Sequence, residues 1–473
     1  MHSVMDCENP RLYKPDGLHP VHIGDRFSDD RYEVVHKLGH GSRSTIWLVH
    51  DSQTNTYVAL KIIAAWKTKK MTELAVLQHL QATYEPDDEG SKHVVRMLDH
   101  FVHDGPNGQH QCIVTEAMGP SLAEDIYWIW ESLHLPVQIA QRVTGQLALA
   151  VQYLHARGVA HGDLYPANIL YCLPTTWFSH ADMQYDLGEP ELNEYGAPED
   201  SPHAPQYLVS GLSANVDLLA SCLRRASVKI ADFSEASLQG MPDPPILATP
   251  KLYRPPDGIL LNEQHPDAHK DMWALANVIF GLFAEQGSTL FRGLNDEAIL
   301  YSMTRKLGKL PEPCWSLWDT RREFFDDDGM PLDPRVSTVL IPPGQLDVPP
   351  GGPEDAAGLE ALLRSMLYFD PRLAITAKQL LESDWVRRYC RPFMADELAF
   401  DVEFGCDEET LDDWEENWEE EEEEAVYVED LWLEEGDQVE DNNTSGKSSA
   451  RNQSRPTPLP IFSSPVNETK DGD

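Results

Sequence analysis

His161-Gly162-Asp163-Leu164-Tyr165-Pro166-Ala167-Asn168-Ile169-Leu170 is the stretch on which the fold of this chain turns. Just upstream Ile139, Val143, Leu147, Val151 and Leu154 recur at helical spacing, so an amphipathic helix delivers the loop and its stripe faces a core. Pro166 stiffens the loop by fixing φ and removing a donor. Asp163 and Asn168, five residues apart, can then aim at one point: the carboxylate can accept a hydroxyl proton, and the amide oxygen can hold a magnesium ion on a nucleotide. Alone, the stretch reads equally well as an ordinary turn, and its neighbours decide.

Upstream, Tyr32 to Leu38 and Thr45 to Val49 have strand composition around Gly39-His40-Gly41-Ser42-Arg43-Ser44. Such a hairpin lets backbone approach a phosphate, because glycine has no side chain in the way; a plain β-turn has the same signature. Tyr57-Val58-Ala59-Leu60-Lys61-Ile62-Ile63 is a strand with one lysine in an apolar run. A charge there needs an anion, and phosphate oxygens or Glu73 could supply it. Glu73 opens a helix whose face is expected at Leu74, Leu77 and Leu80, although an exposed helix glutamate fits as well. Gln111 to Thr115 is a further strand, ending in a connector at Glu116-Ala117-Met118-Gly119.

Downstream, residues 171–227 carry prolines and no sustained periodicity and read as an insertion. Val228 to Ser234 resumes strand character and delivers Asp232, a carboxylate able to ligate a metal that bridges phosphates. Asp271 lies at the start of an apolar helix, where a cap is the simplest reading. Beyond about residue 393, Asp412-Asp413-Trp414 runs into consecutive glutamates through Glu424. Like charges at that density repel and predict a disordered tail, either docking on something basic or merely solubilising.

The chain has 473 residues, 41% of them hydrophobic, and 79 acidic against 37 basic side chains, a formal net charge of -42. That balance argues against a nucleic-acid binder and favours basic partners. Seven scattered cysteines without CxxC spacing support neither a disulfide framework nor a zinc ribbon. No cationic head precedes an apolar run at the N-terminus, and Met272 to Ala284 has the length of a core helix rather than a membrane span. A soluble intracellular protein is expected, and the sequons at Asn442, Asn452 and Asn467 are taken as accidental.

In order and content these motifs resemble a protein kinase, and His19-Pro20-Val21-His22-Ile23-Gly24-Asp25, the Gly39 to Trp47 hairpin with Ser44 for the third glycine, the insertion and Trp318 to Gly329 resemble the SR-protein kinase family. The resemblance covers about residues 18 to 390. It implies an α+β, two-lobed kinase fold: a leader over 1–31, a β-rich N-lobe over 32–116, a hinge over 116–119, a helical C-lobe over 120–392 and an acidic tail over 393–473. It further implies ATP and Mg2+, with Lys61 on the α- and β-phosphates and paired with Glu73, and Asp163 as catalytic base. Asn168 and Asp232 would hold the metal; Leu38, Gly39, Gly41, Ala59, Thr115, Glu116 and Met118 would surround the nucleotide. Asp271 would tie down the loop backbone.

The implied activity is transfer of the ATP γ-phosphate to Ser or Thr hydroxyls of Arg/Ser-rich proteins such as splicing factors, by a monomer of cytoplasm and nucleus that binds neither nucleic acid nor membrane. Acidic side chains at Glu323, Asp326, Asp327 and Asp328 would form part of the substrate groove. Three positions depart from the pattern. Tyr165 replaces a lysine that steadies the γ-phosphate. Gly162 replaces an arginine that reads an activation-loop phosphate. Ala374 replaces an arginine expected to pair with Asp257, with Arg372 near enough in sequence to substitute. A pseudokinase, or an acidic scaffold binding basic partners without turnover, is the alternative.

Overall fold

The structure, a computed structural model, describes residues 7–69, 71–123, 135–174, 177, 179–196, 201–212, 216–261, 264–285, 288–336, 338, 340 and 353–395. The glutamate-rich tail, its sequons and Cys406 lie outside the described residues. Chain order begins with β1 (Arg26–Phe27), β2 (Tyr32–Gly41), β3 (Ser44–Asp51) and β4 (Thr56–Ile63), then α1 (Ala65–Thr68) and α2 (Glu73–Ala82), then β5 (Met97–Gly105) and β6 (Gly108–Glu116). The six strands form one antiparallel sheet in the order β1-β2-β3-β4-β6-β5.

Alternation along β4 sorts its side chains between two covered faces. Val58, Leu60 and Ile62 enter a cluster with Trp47, Val49, Val114, Val21, Phe27 and Val209. Ile63 joins the other face, where α2 contributes Val76, Leu77 and Leu80. Lys61 points to that second face and is therefore held over the cleft. Burial on both faces explains the unbroken apolar run around it. On α2 the buried set is Glu73, Val76, Leu77 and Leu80, with Leu74 only half-buried.

Residues 7–31 are not the extended leader that their Pro, Gly and Asp content suggests. Tyr13, Leu18, Val21 and Phe27 are buried, and β1 pairs with β2. A fully buried Lys37 donates to Glu8 and to Val209 O at 2.7 Å, and Tyr13 also donates to Glu8. One ion pair thus joins leader, sheet and insertion. The irregular spacing of these apolar residues reflects packing by a non-repetitive backbone, which leaves no period to read.

The larger part of the fold contains α3 (Val137–Ala156), β7 (Val159–Ala160), β8 (Ile169–Tyr171), α4 (His180–Leu187), β9 (Leu192–Asn193), β10 (Leu208–Val209), α5 (Val216–Arg225), β11 (Val228–Ile230) and β12 (Ser237–Leu238). These are followed by α6 (Asp257–Leu260), α7 (Ala268–Phe283), α8 (Asp296–Leu307), α9 (Cys314–Leu317), α10 (Pro353–Met366) and α11 (Ala377–Glu382). All five stripe residues of α3 are buried. The described insertion is built from two helices and the β9–β10 pair, and it packs back on the leader and on the β5–β6 turn: Ile23 N donates to Tyr207 Oη and Asn107 Nδ2 to His203 O. The apolar run in α7 is a buried core helix, and no described helix is long and apolar enough to cross a membrane. The six described cysteines are free thiols.

Candidate active site

The decisive loop hangs between short antiparallel pairs. β7 pairs with β12 before it, and β8 pairs with β11 after it, so Asp163 and Asn168 lie in the span that must cross beside Asp232. Asn168 Nδ2 donates to Asp163 O at 2.8 Å and to Asp163 Oδ2 at 3.0 Å. The amide is thereby oriented with its nitrogen on Asp163, leaving the oxygen as its remaining ligand atom. Asp163 Oδ1 is buried without a hydrogen-bond partner. Burial, then the nearby Asp232 charge, pushes the Asp163 carboxyl up to about 7. A carboxylate poised near neutrality can take a proton from an attacking hydroxyl.

Asp271 holds this loop from beneath. Its two oxygens accept from His161 N at 2.8 Å and Gly162 N at 2.9 Å, and His155 Nε2 lies 2.9 Å away. The cap of α7 is Asp267, whose side chain accepts from Lys270 N, so Asp271 is free to serve the loop. His161 Nε2 donates to Ala231 O at 2.9 Å while its Nδ1 accepts from Asp163 N at 3.3 Å. Burial lowers the His161 pKa, consistent with that neutral tautomer. The ring thus connects the loop to the strand that carries Asp232.

Lys61 is the centre of the opposite wall. Its Nζ lies 2.9 Å and 3.0 Å from the Glu73 oxygens and 2.8 Å from Asp232 Oδ1. Burial works against charge on Lys61, but Asp232 and Glu73 outweigh it and raise its pKa. Burial would raise Asp232, yet Lys61 holds it far below the ordinary carboxylate range. Both groups are charged at neutral pH. Asp232 adopts φ +56°, a left-handed conformation that costs on the order of 1–3 kcal/mol for a non-glycine residue and turns its carboxylate toward Lys61.

Gly39 and Gly41 sit on the hairpin of β2 and β3, where His40 pairs with Thr45 and Gly41 with Ser44. A Cβ added at either would meet no protein atom within 4 Å. Their side of the hairpin is open to a ligand, as the phosphate reading requires. Ala59 pairs with Thr115 across β4 and β6, while Leu38 is half-buried nearby in sequence. Met118 packs with Val95 and Ala231, against Leu170 and Cys172, as a small apolar cluster at the hinge. The Glu116 carboxylate is taken by Lys229 at 2.6 Å and 2.7 Å and by Arg96 N at 3.0 Å. Only its backbone remains for an adenine edge.

The donor set suits magnesium. Asn168 and Asp232 offer hard oxygen ligands from adjacent segments, Ala231 N donating to Asn168 O at 2.9 Å, and Mg2+ is commonly held by one or two protein oxygens together with phosphates and water. Among the described residues no group of three His, Cys, Asp or Glu is placed to hold a metal ion.

A cavity of about 260 Å³ is lined by Gly41, Lys61, Glu73, Asp163, Tyr165 and Asp232, and also by Arg43, Lys67 and Glu235, while Asn168, Gly39, Ala59, Thr115, Glu116 and Met118 lie outside its lining. Sequence reading overlooked Arg43, Lys67 and Glu235, which lie far apart in the chain. Tyr165 opens on this cavity beside Tyr253, ring centroids 6.2 Å apart. Burial pushes its phenol up to about 12, so it brings no charge. Gly162 has φ +76°, and a Cβ there would meet Glu235 O and Pro266 Cγ at 2.5 Å; no arginine fits that position. Thr249 Oγ1 donates to Gly162 O at 2.6 Å, fastening the segment after Asp232 to the loop. Arg372 does not reach Asp257: it closes on Asp370 of its own turn at 2.6 Å and is exposed to solvent, because the two are only two residues apart.

Comparison with known proteins adds four findings. The pattern described as a protein kinase domain matches residues 32–176. The chain is 29% identical over 326 residues to protein kinase dsk1 of Schizosaccharomyces pombe, covering 68% of this chain and 58% of that protein. It is 28% identical to the serine/threonine-protein kinase SRPK of Physarum polycephalum, covering 83% and 92% of the two chains. It is 34% identical to SRSF protein kinase 3 of Homo sapiens over 41% of this chain and 34% of that one.

Proposed function

The chain being an SR-protein-kinase-like protein kinase, we propose that it transfers the γ-phosphate of ATP to serine or threonine hydroxyls of basic, Arg/Ser-rich proteins. One observation carries the reading: Lys61 bonded at once to Glu73 and Asp232, across one cavity from Asp163. In this mechanism Lys61 binds the α- and β-phosphates, held in place by Glu73. Asn168 and Asp232 hold Mg2+, which when bound neutralises phosphate charge and orients the transferred group. Asp163 accepts the proton of the acceptor hydroxyl at its unpartnered Oδ1 as the new oxygen–phosphorus bond forms and the bond from the γ-phosphorus to the bridging oxygen breaks, leaving ADP. Gly39 and Gly41 let the hairpin close over the phosphates, and the apolar cluster at Met118 receives the base.

Substrate choice is read from charge. Glu323, Asp326, Asp327 and Asp328 are exposed on a turn in which Asp326 Oδ1 accepts from Asp328 N at 3.0 Å and Met330 N at 2.8 Å, while the neighbouring Phe325 is buried. Carboxylates grouped in this way draw cationic peptides and raise their encounter rate. SRSF protein kinase 3 among the relatives is named for the same class of substrate. Such substrates favour residence in cytoplasm and nucleus. The pseudokinase alternative is favoured by one observation, the uncharged Tyr165 in the cavity. Radiolabelled ATP offered to the purified chain with Arg/Ser-repeat and acidic peptides decides the matter. Transfer selective for the Arg/Ser peptide, weakening as salt screens charges over about 8 Å at physiological ionic strength, is expected. No transfer above that of Asp163→Ala would overturn the enzyme reading, and equal, salt-insensitive rates on both peptides would overturn the substrate reading.

A further inference from the structure

Around Lys61 carboxylates outnumber cations: one ammonium faces Glu73 and Asp232. At the outer end of the same cavity the ratio is reversed. Arg43, at the tip of the hairpin, and Lys67, on α1, both donate to a single oxygen, Glu235 Oε1, the Lys67 contact being 3.3 Å. Glu235 is buried, and the Lys67 side chain is only 16% exposed. Two cations thus share one carboxylate, three residues beyond Asp232, with a surplus positive charge facing the cavity that Asp163 and Asp232 also line.

We propose that Arg43 and Lys67 form a seat for the terminal phosphoryl group of a nucleoside triphosphate, and that Glu235 is its resident counter-ion, displaced when that phosphate enters. This rests on the reading of the cavity as the nucleotide cleft. The geometry favours the terminal group because Lys61 is already committed deeper in the cleft, whereas Arg43 and Lys67 lie toward the hairpin tip. A phosphoryl dianion offers several acceptor oxygens, so both cations can bond it without competing for one atom. The seat also supplies, from two other elements, positive charge that Tyr165 does not carry. Stabilising charge that develops on a transferring phosphoryl group is where preorganised cations act most strongly. Arg43 moves with the hairpin, so the same contact couples hairpin closure to the presence of the third phosphate.

Equilibrium binding of the magnesium complexes of ADP and of a non-hydrolysable ATP analogue to the full chain tests this, in wild type, Arg43→Gln, Lys67→Gln and Glu235→Gln. Each cation variant is expected to lose about tenfold in affinity for the triphosphate, the scale of a charge-assisted bond, while ADP affinity stays within about twofold. Glu235→Gln is expected to bind the triphosphate more tightly, since the competing carboxylate is gone. Arg43 is half-exposed on a turn, so its variant keeps the test valid even where Lys67→Gln fails to fold. A triphosphate-to-diphosphate affinity ratio unchanged in Arg43→Gln overturns the seat. So does loss of binding to a phosphoserine peptide with that ratio intact, which would assign the pair to a phosphorylated chain. A wild type that transfers no phosphate yet shows the ratio change retains the seat and loses the kinase reading; transfer with an unaffected ratio does the reverse.

Discussion

Replacing Asp163 by asparagine should make the protein more stable and inactive, with a pH signature that identifies the cause. In the folded chain the carboxyl is raised from its ordinary 3.8 to about 7 by burial and by Asp232. A carboxyl raised on folding binds more protons in the native than in the unfolded state between those two values, so stability falls as pH rises through that window and the full cost is reached above about 7. At about 1.36 kcal/mol per unit, the charged side chain costs about 1.7 kcal/mol at pH ~5 and about 4 kcal/mol at pH ~8. Asparagine keeps the shape and an oxygen to accept from Asn168 but never ionises. Its advantage over wild type should therefore grow by about 2.5 kcal/mol between the two pH values. With an unfolding entropy of about 2.1 cal/mol/K per residue over about 380 residues, that is a further rise of about 3 °C in relative melting temperature. Thermal unfolding of both proteins at the two pH values measures it, and each variant serves as its own control for packing changes. Turnover should fall roughly 10²- to 10⁴-fold, while wild-type kcat/KM rises with pH to a plateau with a midpoint near 7. A melting-temperature difference that does not change with pH would refute the argument that this carboxylate is destabilised in the fold.

Asp271→Ala should leave His161 N and Gly162 N without an acceptor; at about 1–3 kcal/mol for each buried donor, a loss of roughly 2–6 kcal/mol in chemical denaturation is expected together with reduced turnover, and unchanged stability would show that the loop does not depend on this carboxylate. Glu8→Ala should cost roughly 3–5 kcal/mol by stranding the buried Lys37 charge. The same denaturation experiment checks it, and a neutral result would mean that the leader is not anchored to the sheet.

Local pattern was enough to read the elements around the site. The helical stripe of α3, the apolar strand carrying Lys61 and the strand ending at Asp232 each declare themselves within a few residues, because periodicity follows directly from backbone geometry. The types Asp163, Asn168, Lys61 and Asp232 likewise disclose a chemistry, since few other residues can accept a proton, ligate magnesium or hold phosphate. Aperiodic packing is what hid the leader: Tyr13, Leu18, Val21 and Phe27 reach the core from a chain with no repeating geometry. Partner choice was hidden for a different reason. Glu116 turns to Lys229, 113 residues away, and Arg43 and Lys67 meet Glu235 across 192 and 168 residues. The need for glycine at 162 arises from the approach of Glu235 O and Pro266, segments with no sequence relation to the loop. A one-dimensional pattern records which face of its own element a side chain takes; which charge it meets there depends on how distant elements close on one another, and that was decided only by the tertiary structure.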